Sequence, residues 1–224
     1  MNLLAAALGA LLVVAGAAPA ATGPFVGRID NPWFPLQAST TFVYRGVKHG
    51  KPSRDVVTVT RRTRVLDGVR CTELTDRLYL AGRLAERTTD WYAQDESGNV
   101  WYFGERTAEL DAQGHVTSTE GSWQAGVDGA RAGIYMPARP RVGQTFSQEH
   151  YAGHAEDRFR VLSLRASVST PAATSHRALL TREWTPLEPG VVDHKLYVRG
   201  VGMVKEESVK GGDERAVLVA VTRG

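Results

Sequence analysis

The chain predicts an all-β fold with minor α content: a curved antiparallel sheet, as a half-barrel or a two-sheet sandwich, of about 10–12 strands. Three observations carry this. No stretch of ten or more residues shows the 3.6-residue apolar period of an amphipathic helix. Several stretches alternate with period two and are rich in β-branched and aromatic residues. Turn-forming residues recur between them at close spacing. The hydrophobic share of 42% is enough for a packed core and argues against disorder.

The elements follow in order. Thr40 to Val47 and Asp55 to Thr60 read as strands separated by a turn at Gly50, Pro52 and Ser53. Asp67-Gly68 is a two-residue hairpin signal, and Ala81-Gly82 separates the next strand pair. The clearest hairpin runs from Thr88 to Glu105 around the polar turn Asp95 to Asn99. It carries Trp91 and Tyr92 on one strand and Trp101, Tyr102 and Phe103 on the other. Adjacent strand residues point to opposite faces, so both faces of this hairpin must be covered. Residues 122 to 143 are rich in Gly and Pro and read as an irregular cover for a concave sheet face. Strands resume at 144–149, 158–164, 178–184, 191–198, 202–207 and 216–221, the last two joined by a Gly211-Gly212-Asp213 turn.

The first twenty residues, Met1 to Ala20, carry no charged side chain, and Leu3 to Val14 contains only Leu, Ala, Gly and Val. The run ends in Ala18-Pro19-Ala20, a small-x-small cleavage pattern, and is short for a membrane span of about 20 residues. It reads as a removed export signal. That leaves 21–224 as a single β-rich domain outside the cytoplasm, in periplasm, wall or medium. The lone cysteine, Cys71, cannot form an internal disulfide and reads as a small buried apolar residue. It lies far from the apolar run, so no lipid-linked or otherwise stable membrane anchor is expected. Twenty-seven Lys and Arg stand against 24 Asp and Glu, with no basic stripe, so no nucleic-acid partner is expected.

Five blocks resemble those of a family of exported bacterial proteins. They are the hairpin Thr89 to Asp95 with Gly98 to Glu105, Glu120 to Ala130, Glu183 to Val192, Asn31 to Leu36, and Gly200 to Glu207. The resemblance spans nearly the whole mature chain. It implies a single exported domain of bacterial origin and carries no activity with it. The stretch Tyr197 to Glu207 is also similar to the last hairpins of envelope proteins with curved antiparallel sheets.

Three groups of residues are candidates for chemistry. Asp90 and Glu105 lie on the two strands of one hairpin and are expected to face each other. Paired carboxylates run glycoside hydrolysis, which makes a carboxylate-based hydrolase the alternative function. Arg87 and Arg106 are at hand to neutralise them instead as ion pairs. On an extended strand His150, His154 and Glu156 share a face, a donor set for a divalent metal. No other cofactor is expected. Asp95 to Asn99 opens like a calcium loop but lacks the spaced acids and the distant glutamate, so it reads as a turn. Trp91, Trp101, Trp123 and Trp184 fall inside the conspicuous blocks and are candidates for stacking on a ligand. No nucleophile elbow and no phosphate-binding glycine loop is present. The leading expectation is a non-enzymatic domain that binds a small or apolar ligand, or a cell-envelope partner.

Overall fold

The computed structural model describes residues 23–224, and every regular element within them is a β-strand. The export signal expected at Met1–Ala20 lies outside the described residues. Sixteen strands form one sheet. The first half holds β1 (Phe25–Val26), β2 (Thr40–Lys48), β3 (Lys51–Leu66), β4 (Val69–Leu80), β5 (Arg83–Asp95) and β6 (Val100–Leu110). Short strands follow: β7 (Val116–Ser118), β8 (Trp123–Gln124), β9 (Arg131–Met136), β10 (Thr145–Ser147) and β11 (Glu149–His150). The last are β12 (Arg158–Ser169), β13 (Thr174–Trp184), β14 (Val192–Val198), β15 (Gly202–Lys210) and β16 (Arg215–Arg223). All paired strands run antiparallel.

The hairpins follow their turn chemistry. Asp67-Gly68 and Ala81-Gly82 both adopt positive φ at each position, the geometry that matches the twist of a two-residue hairpin. The first turn departs from expectation. It falls at His49-Gly50, while Pro52 and Ser53 lie within β3. The Asp213 carboxylate explains the shift, because it accepts hydrogen bonds from the backbone N–H groups of both His49 and Gly50.

The sheet order runs from β10 through β12–β16, then β2–β6 and β9, to β11. The first and last strands of that path are consecutive in the chain and separated only by Gln148. One short segment, Thr145–His150, therefore pairs first with β12 and then with β9, and joins the two edges of the sheet. The expected curved sheet, a half-barrel in outline, is thus drawn into a nearly closed ring and is not split into a sandwich. Gly133 permits this seam: a Cβ there would sit 2.5 Å from the backbone of Ser147 and Gln148. The Gly/Pro-rich segment 122–143, expected as a cover, is instead part of the wall. It supplies β8 and β9, both paired to β6.

With about twelve strands around it, such a ring is wider than the eight-stranded barrels whose interiors side chains alone fill. The segment Asn31–Leu36 packs across one end. Asn31 is buried; its side chain donates to the carbonyls of Gly98 and Pro137, and its backbone N–H donates to Gln94 Oε1. Phe34 then lies against Tyr92 and Tyr135, with ring centroids 5.3 and 4.6 Å away.

Candidate functional site

Cross-strand partners in a sheet share a face, so the register assigns side chains to the lumen. Tyr44 pairs with Asp55, Val57 with Asp76, Leu74 with Asp90, and Asp90 with Glu105. The acids step diagonally across β3, β4, β5 and β6 on the inner face. The alternate residues point outward, which puts Arg54, Arg77, Arg87 and Arg106 on the outer face. The ion pairs expected from Arg87 and Arg106 to Asp90 and Glu105 therefore do not form. Arg87 lies three positions from Asp90 and Arg106 one from Glu105, odd steps along a strand that turn each to the other side.

Two adjoining cavities open onto the lumen, beside a third at the end marked by Lys48 and Glu86. An inner chamber of about 190 Å³ is bounded by Asp55, Asp76, Asp90, Tyr92, Tyr135 and Glu206, and floored by Phe34 to Leu36. Its residues come from β2–β5 on one side and β14–β15 on the other, which puts it inside the ring. A vestibule of about 590 Å³ is lined by nine carboxylates, among them Glu105, Glu149 and Glu183, against a single ammonium, Lys195. Lys195 and Glu206 border both spaces.

Lys195 shows how this interior treats a cation. Its Nζ lies 2.9 Å from Glu183 Oε2 and 3.3 Å from Glu206 Oε1. Burial on its own disfavours the ammonium, but the two carboxylates outweigh it and hold the group well above its ordinary value. The other acids lack such a partner. Burial pushes Asp90 up to about 7, although its Oδ1 accepts a 2.7 Å hydrogen bond from the Tyr102 hydroxyl. Burial pushes Glu149 up to about 8, with Trp123 Nε1 donating to its Oε1 at 3.3 Å. Burial also raises Asp76, with the neighbouring Asp55 carboxyl adding to the shift, and it raises Glu105 well above its ordinary value. Oδ1 of Asp55 and Oδ1 of Asp76 are both shielded from solvent and have no hydrogen-bond partner among the described residues.

Asp90 and Glu105 are brought together as direct cross-strand partners, as the sequence leads one to expect. Burial pushes both carboxyls in the same direction. They also border different spaces, Asp90 the chamber and Glu105 the vestibule.

The tryptophans divide by face. Trp91 and Trp101 each neighbour a lumenal residue in sequence and so turn outward. Trp91 is fully buried beneath the Arg64 guanidinium, 4.7 Å from its ring, and Trp101 Nε1 donates to Asp95 at 2.8 Å. Trp123 packs edge-on against Tyr102 at 5.5 Å. Trp184 lines the vestibule, with Arg182 stacked on it at 4.8 Å. His150, His154 and Glu156 are not gathered. His154 stacks on Tyr151, Glu156 caps the N–H of Gly153, and no group of three His, Cys, Asp or Glu among the described residues is arranged to hold a metal ion. Cys71 is fully buried, and burial pushes its thiol up to about 12, which leaves it inert.

Sequence reasoning passes over Asp55, Asp76, Lys195 and Glu206. The period-two runs Asp55-x-Val57-x-Val59 and Leu74-x-Asp76-x-Leu78 already put those two acids on the same face as core residues.

No protein-family profile matches the chain, and no curated protein matches it. Two solved structures are similar in shape. One, from Bacteroides fragilis and described as an exported protein with a YmcC-like fold, has a TM-score of 0.49 and 15% identity over 85% of this chain and 99% of its own. The other, from Parabacteroides distasonis and described as a lipoprotein, has a TM-score of 0.46 and 13% identity over 86% of this chain and 99% of its own. At scores this low, neither likeness bears on what this chain does.

Proposed function

We propose that this protein works outside the cytoplasm as a non-catalytic binding protein that takes a small molecule into its lumen. One observation carries the reading: side chains from opposite walls of the ring converge on a chamber whose polar groups are not all satisfied by the protein. Buried polar atoms without partners are rare and costly, and a ligand that supplies the partners removes the penalty. The apolar leader Met1–Ala20 supports the location. Of the two occupants expected from the sequence, the chamber favours a small ligand over an envelope partner. At about 190 Å³ it lies below the usual range of roughly 300–1,000 Å³, so the molecule is small.

The test is a ligand-observed NMR screen of a polar fragment library against the wild type and Val57→Phe, a substitution that fills the chamber from β3. Fragments that bind the wild type and are lost in the folded variant support the reading. Hits that survive chamber filling, or no hits at all, overturn it. Fusion of residues 1–40 to a reporter active only after export tests the location.

A further inference from the structure

We propose, resting on the lumen-binding reading above, that the chamber recognises an organic cation, a small ammonium-bearing molecule whose charged head sits among Asp55, Asp76 and Asp90.

The three carboxyls come from adjacent strands and meet by register, Asp76 lying one diagonal step from each of the others. Two of their oxygens, Asp55 Oδ1 and Asp76 Oδ1, are shut off from water without a donor. An ammonium supplies several N–H donors and a full positive charge, whereas a hydroxyl supplies one donor and no charge. The protein's own cations are committed elsewhere. Lys195 is held between Glu183 and Glu206, and Lys48 pairs with Glu214 at 3.2 Å. Aromatic rings complete the setting. Tyr44, Tyr92, Tyr135 and Phe34 border the chamber, and ring faces attract cations. Phe42, Val57, Leu74 and Met203 offer apolar contact for a short hydrocarbon body. Beyond Lys195, the vestibule's lining is acidic, with no second ammonium to compete for the site, while Arg54, Arg77, Arg87 and Arg106 face away outside. No metal-binding group of three exists among the described residues, which favours an organic cation over a metal ion.

Isothermal titration with isopentylammonium, its neutral isostere 3-methylbutanol and the anion 3-methylbutanoate reads the chemistry directly. Saturable 1:1 binding of the ammonium, with the alcohol and the acid each weaker by about tenfold or more, is the expected result. Asp76→Asn keeps the shape, removes the group that can ionise against the bound ammonium and weakens its binding by about tenfold, while the thermal midpoint of the free protein at pH 7 is retained or raised. Should Asp76→Asn fail to fold, Asp90→Asn carries the same expectation. Equal or tighter binding of the alcohol, lost in Val57→Phe, overturns the cation assignment and leaves the lumen reading standing. Ammonium binding untouched by the Asn variants puts the cation elsewhere and also overturns the assignment. Absence of binding by all three probes at millimolar concentration counts against both proposals.

Discussion

Asp90 links the acidity of the medium to the strength of the fold. Its carboxyl titrates near its ordinary value of 3.8 when unfolded and at about 7 when folded. The folded state therefore holds the proton more tightly, so the stability this group lends is complete below about pH 4 and is lost as pH climbs through 7. The slope is about 1.4 kcal/mol per pH unit for each such group. Glu149, raised from 4.5 to about 8, extends the loss upward. Asp55, Glu86 and Tyr102 face Asp90: the two acids oppose its charge and the hydroxyl favours it. The carboxyls held low, Asp30, Asp111 and Asp213, titrate below this window and do not mask it. The unfolding free energy from urea titration is expected to fall between pH 5 and pH 8. Asp90→Asn should flatten part of that slope and exceed the wild type at pH 8. A flat or rising profile would rule out buried, unpaired acids.

At the scale of elements, the seam and the end segment each depend on one residue. Gly133→Ala places a Cβ against the backbone of Gln148, where neither chain has a flexible side chain to move aside. Overpacking of this kind costs about 1–3 kcal/mol, seen as a lower midpoint in chemical denaturation. A midpoint within error of the wild type would mean that Thr145–His150 does not close the ring. Asn31→Ala strips buried hydrogen bonds from Gly98 and Pro137 and is expected to cost about 1–3 kcal/mol. Hydrogen exchange should then rise at residues 29–36 ahead of the wall strands. The strands themselves were largely legible in sequence, because period-two runs and Gly-containing turns are local signals. β9 was not, since Gly133 and the flanking prolines mask a strand whose partners, β6 and β11, are settled only by closure. The site was half legible for a related reason. Asp90 and Glu105 share a local hairpin, whereas Asp55, Asp76 and Lys195 meet only after distant strands have been assembled.

For the molecule as a whole, the longest pairing is the one between β2 and β16, which joins Thr41 to Thr222 and Phe42 to Val221. Contacts so far apart in sequence demand that a long loop be closed before they contribute. Refolding from urea is accordingly expected on the scale of milliseconds to seconds or slower. Complete recovery in microseconds would be incompatible with this topology. Without any crosslink to shorten the search, the chain relies on its hairpins to form locally before the ring closes.

The separation of arginines outside from unpaired acids within has an electrophoretic consequence. The formal balance of +3 at pH 7 counts every Asp and Glu as an anion. A carboxyl such as Glu149, which gives up its proton only near pH 8, is mostly uncharged at neutrality. The native protein therefore migrates as a more basic species than its denatured form and adheres more firmly to polyanionic matrices.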